Sequence, residues 1–142
     1  MLIGASLARF EQYDQAIDEL EFVQKESPFY LDAQRQIAEL YTQQDKKDKA
    51  VKILDQLYKT QNDLDSLIQI GDIYRYDENY KDAIDIYNKV LKRWNETSVP
   101  EKYWYVLYSR GMAYERLGKY EASEKDLKAA LEFRPNHPFL LN

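Results

Sequence analysis

The chain has 142 residues, of which 44% are hydrophobic and 32% charged, so it has enough apolar material for one domain with a buried core. The absence of cysteine excludes disulfide bonds, thiolate metal sites and a cysteine nucleophile. The formal net charge of -5 argues against a nucleic-acid or anionic-membrane surface, since either would need a basic face.

No segment of the sequence is typical of a membrane anchor or a leader. No apolar run approaches the roughly 20 residues that span a bilayer. Residues 1–8 are apolar, but no basic segment precedes them, and Arg9 and Glu11 follow directly. We therefore predict neither membrane insertion nor a signal peptide in this sequence, and these residues assign no compartment.

Apolar residues recur at helical spacing along the chain, which predicts an all-α protein. The predicted helices cover residues 2–10, 14–26, 29–43, 47–60, 64–76, 80–94, 99–117 and 121–134, with a ninth beginning near residue 138. We expect the helix at 99–117 to begin early and to be longer than the others. Ser98 and Glu101 have the spacing of a capping box there, and Pro100 suits a first helical turn.

A short motif recurs within this series of helices. In its third copy it reads Leu67, Ile70, Gly71 and Tyr74, which is one face of a helix. The other copies read Ile3, Gly4 and Leu7, then Ile37, Ala38 and Tyr41, then Leu107, Arg110, Gly111 and Tyr114. In every copy a second small residue follows nine positions after the large one, at Ala16, Ala50, Ala83 and Ser123. One hairpin cannot bury such a stripe alone, so the motif predicts a stacked array.

This pattern resembles the tetratricopeptide repeat, whose signature W-x2-L-G-x2-Y is followed by A-x3-F and P at a period of about 34 residues. The better copies run from Leu67 to Asn95 and from Leu107 to Pro135. Gly118 supplies the glycine that ends the first helix of the fourth copy, whereas Asp45 and Glu78 stand at that place in the second and third.

The resemblance implies a right-handed α-solenoid of stacked antiparallel helix hairpins with about four repeats. We expect a single array with repeats at about 1–28, 29–62, 63–97 and 98–136 and the start of a fifth at 137–142. Neither end has the polar capping helix with which arrays normally finish. We therefore expect the chain to be a piece of a longer array of the bacterial type.

No group of residues indicates catalysis, a cofactor or a metal ion. His137, the single histidine, lies in a predicted turn between repeats. The pairs Asp14/Asp18 and Asp82/Asp85 lie on predicted helix surfaces beside basic residues, as solvated faces do. No glycine-rich phosphate loop or nucleophile elbow is present. We therefore predict a protein that is not an enzyme.

Arg110 stands where the repeat motif has an apolar residue, so it needs a polar partner. Family members with arginine at this place often carry an acid in the second helix, and Asp126 holds the matching place here. We predict an internal ion pair between the two. The alternative is an Arg110 that contacts a ligand.

The resemblance implies that the first helix of each repeat lines a concave groove. The peptide-groove candidates are Arg35, Glu39, Gln69, Asp72, Arg75, Tyr76, Tyr105, Tyr108 and Met112, with Ile68 and Ser109 expected on the same faces. Tyr105 and Tyr108, with Trp104, have two interpretations. They form an aromatic binding surface, or they pack against the inserted segment at 94–101.

The leading functional hypothesis is a scaffold that holds a peptide or helix of another protein in this groove. Some family members bind chaperone tails with groove lysines and asparagines, but the matching places carry residues such as Arg35, Glu39 and Asp72, so we do not expect that ligand. Two alternatives stay open: a self-assembly module that stacks through exposed array ends, and a regulatory segment of a larger enzyme.

Overall fold

The computed structural model describes residues 2–95 and 98–133, and the side chains of residues 9–95 and 98–132. Within these ranges the chain forms helices and turns but no strand, so the all-α prediction is confirmed. The α-helices are α1 (Leu2–Glu21), α2 (Tyr30–Gln43), α3 (Lys47–Gln61), α4 (Leu64–Tyr76), α5 (Tyr80–Leu91), α6 (Trp104–Arg116) and α7 (Tyr120–Phe133). His137 and the expected helix near residue 138 lie outside the described residues.

The chain divides into two compact units, residues 1–66 and residues 67–142. In the first unit α2 packs against α1 and against α3. In the second unit α6 packs against α5 and against α7. Helices that follow one another through short turns pack as antiparallel hairpins, each burying the apolar stripe of its neighbour. The repeat boundaries expected from the sequence stay a prediction.

The prediction of two helices before residue 27 is wrong, because residues 2–21 form one helix. The expected turn fell at Glu11, Gln12 and Tyr13, none of which is a glycine or a proline. These residues continue the helix, because nothing in them interrupts its hydrogen bonding. The chain turns only after Glu21, where the Phe22 amide donates to the Glu19 carbonyl at 3.2 Å.

The predicted long helix at 99–117 is also wrong. The α-helix begins at Trp104 and has 13 residues, the same number as α4. Ser98 makes no cap, because its hydroxyl donates to the backbone carbonyl of Trp94 at 2.7 Å. Pro100 is extended with a ψ of 145°, and a single 3-10 turn over residues 101–103 precedes the helix. The preceding helix ends at Leu91 rather than 94, and a second 3-10 turn follows it.

Two glycines of the repeat motif allow close approach between helices. A Cβ atom placed on Gly71 of α4 would lie 2.7 Å from Cε1 of Tyr87 in α5. A Cβ atom on Gly111 of α6 would lie 3.0 Å from the Leu127 side chain in α7. Any larger residue at either place would push its helix away from a fully or largely buried partner.

Three turns between helices share one geometry. A residue with positive φ follows the helix in each: Asp45 at 62°, Glu78 at 61° and Gly118 at 77°. The next amide in each turn then donates to the carbonyl of the motif tyrosine, and these pairs are Lys46 to Tyr41 at 2.8 Å, Asn79 to Tyr74 at 2.8 Å and Lys119 to Tyr114 at 2.9 Å. This is the Schellman arrangement, which favours glycine at the left-handed position. Of the three turns, only the one at Gly118 has a glycine at this position.

The left-handed turns predict opposite effects of two substitutions on the free energy of unfolding. Glu78→Gly should raise it by roughly 0.5–1 kcal/mol, because a Cβ atom in this conformation is strained. Gly118→Ala should lower it by about 1 kcal/mol. Nothing lies within 4 Å of the place that the new Cβ would take, so only the backbone conformation is tested.

Urea unfolding followed by circular dichroism measures both effects. Lys52→Gly, at an exposed place inside α3, is the control and should lower stability by about 1 kcal/mol. A Glu78→Gly variant that is no more stable than the parent chain would contradict the argument.

Candidate protein-binding surface

Arg110 makes the predicted internal ion pair. Its Nε and Nη2 atoms each donate to one carboxylate oxygen of Asp126 at 2.7 Å. The two side chains are only 6% and 4% exposed. The Nη1 atom donates to Oδ1 of Asn88 at 2.9 Å, a partner that the sequence did not indicate. Arg110 therefore joins α5, α6 and α7 and does not face a ligand.

A second polar network orders two of the groove candidates. Tyr87 is fully buried, and its hydroxyl donates to Asp72 at 2.5 Å and accepts from Nε of Arg75 at 3.2 Å. Burial and the Asp72 carboxylate raise the pKa of Tyr87, so its hydroxyl stays protonated and remains a donor. Burial is the largest influence on Arg75 and opposes its charge, but the interactions with Tyr87, Asp72 and Tyr76 together outweigh it, so the pKa of Arg75 is raised. Asp72 and Arg75 are thus held from beneath by one buried ring.

Arg75 and its neighbour Tyr76 open onto a pocket of about 260 Å³ in the second unit. Tyr76 is 77% exposed, and the Arg75 guanidinium lies 4.7 Å from the centre of its ring. The lining residues are Arg75, Tyr76, Glu78, Tyr80, Met112 and Arg116. The structure therefore brings together three predicted candidates, Arg75, Tyr76 and Met112. The sequence analysis missed Tyr80, which also lines the pocket and begins α5 just after the left-handed turn at Glu78.

The aromatic residues near the inserted segment form a chain of ring contacts. Trp94 stacks on Tyr103 with ring centres 5.1 Å apart, and Tyr103 lies 6.5 Å from Tyr105. Trp104 continues the chain to Tyr105 at 6.5 Å and to Tyr108 at 6.1 Å. Tyr105 therefore lies against the rings of Tyr103 and Trp104. All five rings remain half-buried, so each keeps an edge at the surface.

Two residues expected on the groove faces are buried instead. Ile68 is 3% and Ser109 is 6% exposed, so their predicted outward placement is wrong. Leu67, Ile70 and Ile73 are buried as well, so α4 is covered over more of its circumference than a single stripe. Ser109 belongs to α6, which packs against both α5 and α7.

In the first unit Arg35 is engaged within the protein. Its Nη1 atom donates to Asp63 at 2.6 Å, and its guanidinium also lies 3.7 Å from Asp32. Glu39 is exposed and accepts from the Gln43 amide at 3.3 Å. Gln69, a candidate in the second unit, is half-buried on α4.

Glu39 borders a groove that the sequence analysis did not foresee. This shallow groove lies between α1 and α2, has a volume of about 420 Å³ and is lined by Ala16, Glu19, Leu20, Gln36, Glu39 and Leu40. The α1 side was missed because the uninterrupted helix was not predicted. Phe22 and Phe29, in the turn after α1, are 84% and 70% exposed and were missed as well.

The hairpins, the close glycine contacts and the repeated turns agree with the sequence comparisons. Two family models, each described as tetratricopeptide repeat, match residues 7–69 and 62–136. The chain belongs to the tetratricopeptide repeat family. No curated protein matches its sequence.

Solved tetratricopeptide-type structures share the fold at low sequence identity. The N-terminal domain of stress-induced protein-1 (STI-1) from C. elegans is 14% identical, with a TM-score of 0.65 over 77% of this chain and 87% of that one. MamA from AMB-1 is 21% identical, with a TM-score of 0.65 over 96% of this chain and 73% of that one. A putative kinesin light chain from Podospora anserina is 18% identical, with a TM-score of 0.66 over 87% and 68%. These likenesses show the fold alone.

Tetratricopeptide repeats are typically non-catalytic modules for protein interaction, and the coarse function of this chain is that of an interaction scaffold. Among the described residues, no three or more acidic, histidine or cysteine side chains are grouped so as to hold a metal ion. No helix in the described part of the chain combines the length and apolarity needed to cross a bilayer.

Because the Arg110–Asp126 ion pair is buried, replacing one partner should destabilise the protein more than replacing both. Asp126→Ala should lower the free energy of unfolding by about 3–5 kcal/mol, because Arg110 would remain buried without its counter-charge. The double variant Arg110→Met with Asp126→Leu should recover most of that loss, since no charge is then buried.

Chemical denaturation checks both values. Glu124→Ala, which removes an exposed carboxylate from the same helix, is the control and should change stability by less than about 0.5 kcal/mol. If Asp126→Ala lowers the free energy of unfolding no more than the control does, the ion pair does not stabilise the packing of these helices.

Proposed function

We propose that this tetratricopeptide protein binds an extended peptide or a helix of a partner protein on the outer surface of α4 and α6. The observation that carries the proposal is the pocket in which exposed Tyr76, stacked by Arg75, lies with Met112 and Arg116. Tyrosine and arginine dominate the energetics of protein interfaces, and methionine adapts its shape to apolar ligands.

The pocket is pre-organised, which favours binding. Tyr87 is fully buried in the core, its hydroxyl accepts a hydrogen bond from Arg75, and Arg75 covers one face of the Tyr76 ring. The entropy of ordering these side chains is therefore already spent in the free protein, so less of the binding energy is lost on association. The Tyr76 ring is 77% exposed, and apolar surface left in water in this way often marks an interaction site.

The surface continues along α6 away from the pocket. Tyr105, Tyr108 and Met112 follow one another at i, i+3 and i+7, the spacing of a single helix face. Seven residues of helix rise about 10 Å, which an extended peptide covers in roughly three residues. A peptide that anchors one side chain in the pocket thus reaches the half-exposed rings of Tyr105 and Tyr108 with the next few.

The pocket chemistry favours a particular anchor. Met112 and the rings of Tyr76 and Tyr80 suit an apolar or aromatic side chain, while Arg75 and Arg116 favour a neighbouring acid. Roles in this groove for Arg35, Glu39, Gln69 and Asp72 stay predictions. Self-assembly and regulation of an attached enzyme also stay predictions, because no contact described here favours either.

An unbiased peptide-display library tests the proposal without knowledge of the partner. Peptides selected on the parent chain are synthesised, and their dissociation constants are measured by fluorescence anisotropy. Tyr76→Ala with Met112→Ala should weaken binding about tenfold or more, as truncation of interface anchors does. The melting temperature should change little, because Tyr76 is exposed and Met112 is half-buried.

Tyr120→Ala is the matched control, since Tyr120 is 69% exposed and does not line the pocket. Tyr105 and Tyr108 are less suitable for this comparison, because their rings pack on Tyr103 and Trp104 and their loss should also lower stability. Selected peptides that bind the double variant as well as the parent, or that lose affinity equally on Tyr120→Ala, would overturn the proposal.

A further inference from the structure

The net negative charge of this protein comes from its first two helices and the turn between them. Residues 1–43 contain eight acidic and three basic side chains, a net charge of -5. The remaining 99 residues contain 17 acidic and 17 basic side chains and are neutral. The whole net charge of the chain is therefore carried by α1, α2 and their connection.

The groove between α1 and α2 lies within this acidic region. Ala16 and Leu20 stand one turn apart on α1, and Leu40 faces them from α2. These three apolar side chains form the floor of the groove, and each is half-buried, so part of this apolar floor remains exposed to solvent. The carboxylates of Glu19 and Glu39 are exposed at its border.

Arg35 does not neutralise the carboxylates at this border. Arg35 is the basic residue of α2, and its guanidinium donates to Asp63 at 2.6 Å and lies near Asp32. Gln36 donates to Asp32 at 3.1 Å and Gln43 donates to Glu39 at 3.3 Å, so both amides leave the carboxylate charges in place.

We propose that the groove lined by Ala16, Leu20 and Leu40, with Glu19 and Glu39 at its border, binds a basic amphipathic helix of a partner protein. The groove volume of about 420 Å³ is within the range of ligand pockets, and its open form suits a helix laid along it. Leucine-type side chains at i, i+3 and i+4 fill the apolar floor, and flanking lysines or arginines meet the carboxylates. The opposite charges speed association and fix the register.

Charge decides between this occupant and the others that an apolar groove can take. A second copy that docked through the same helices would bring its own carboxylates to an acidic border, where like charges repel. An anionic lipid surface is repelled for the same reason. This surface lies in the first unit and is separate from the pocket of the proposed function in the second, so either can fail without the other.

The probe is a synthetic peptide of about 18 residues with leucines at i, i+3, i+4 and i+7 and lysines elsewhere. A peptide of the same pattern with glutamate in place of lysine is its counterpart. Fluorescence anisotropy at physiological salt should show binding of the lysine peptide and at least about tenfold weaker binding of the glutamate peptide. Leu20→Gln should weaken binding of the lysine peptide, because the floor loses apolar contact.

The decisive comparison is between two charge reversals of equal size. Glu19→Lys with Glu39→Lys should weaken binding of the lysine peptide about tenfold or more. Asp48→Lys with Asp55→Lys, on α3 and away from the groove, changes the net charge equally and should leave the affinity within about twofold. Tyr76→Ala with Met112→Ala, in the other unit, should also leave it unchanged.

Three results would overturn the inference. Equal losses from the two charge reversals would show attraction to overall charge, without a site. Equal affinity for the lysine and glutamate peptides would show that the carboxylates take no part. Dimers in analytical ultracentrifugation that Leu20→Gln abolishes would show that a second copy occupies the groove. Circular dichroism of each variant confirms that the helices are intact.

Discussion

The close contact between Gly71 and Tyr87 is the constraint on which the candidate site depends. Because Gly71 has no side chain, α4 approaches α5 until the Tyr87 ring is fully buried against it. That depth brings the Tyr87 hydroxyl to Asp72 and Arg75, and Arg75 in turn covers Tyr76. A methyl group at position 71 would move α4 away from α5 and weaken the hydrogen bonds of Tyr87 to Asp72 and Arg75. The pocket residues Arg75 and Tyr76 would then lose this support.

The hairpin of α6 and α7 also has a glycine at its close contact, but the polar groups beside that contact are different. Gly111 approaches Leu127, which has no hydroxyl, and the neighbouring polar contact is the ion pair of Arg110 with Asp126. The corresponding places in α4 and α5 are Ile70 and Ile86, both apolar. One hairpin thus keeps its polar network near the surface, where it orients a pocket. The other buries it where it joins three helices and is inaccessible to a ligand.

The two units also differ in what they present to a partner. The second unit contains 12 acidic and 12 basic side chains, so it has no net charge, and it offers rings, a methionine and two arginines in one pocket. The first unit offers an aliphatic floor bordered by carboxylates. An interaction module with two such surfaces can discriminate between partners by charge, because each surface repels the groups that the other attracts.

Much of the fold could be predicted from particular residues. The recurring motif predicted helices stacked in an array, and the arginine at position 110 predicted its partner Asp126. The predictions failed where competing local interactions decided the outcome. Ser98 bonded to a carbonyl behind it instead of capping the helix ahead, and residues 11–13 continued a helix that the repeat pattern would have ended.

The sequence by itself determined the helix periodicity, the small residues at the contacts and the family, because these follow from local spacing that recurs along the chain. Only the tertiary structure decided which outward residues are free to bind. Ile68 and Tyr76 were both expected on the groove face, but one is 3% and the other 77% exposed. Exposure depends on which neighbouring helices cover each face of a helix, and the spacing of residues within one helix does not show this. The same holds for the pocket, whose walls come from α4, α5 and α6 and whose members share no local pattern.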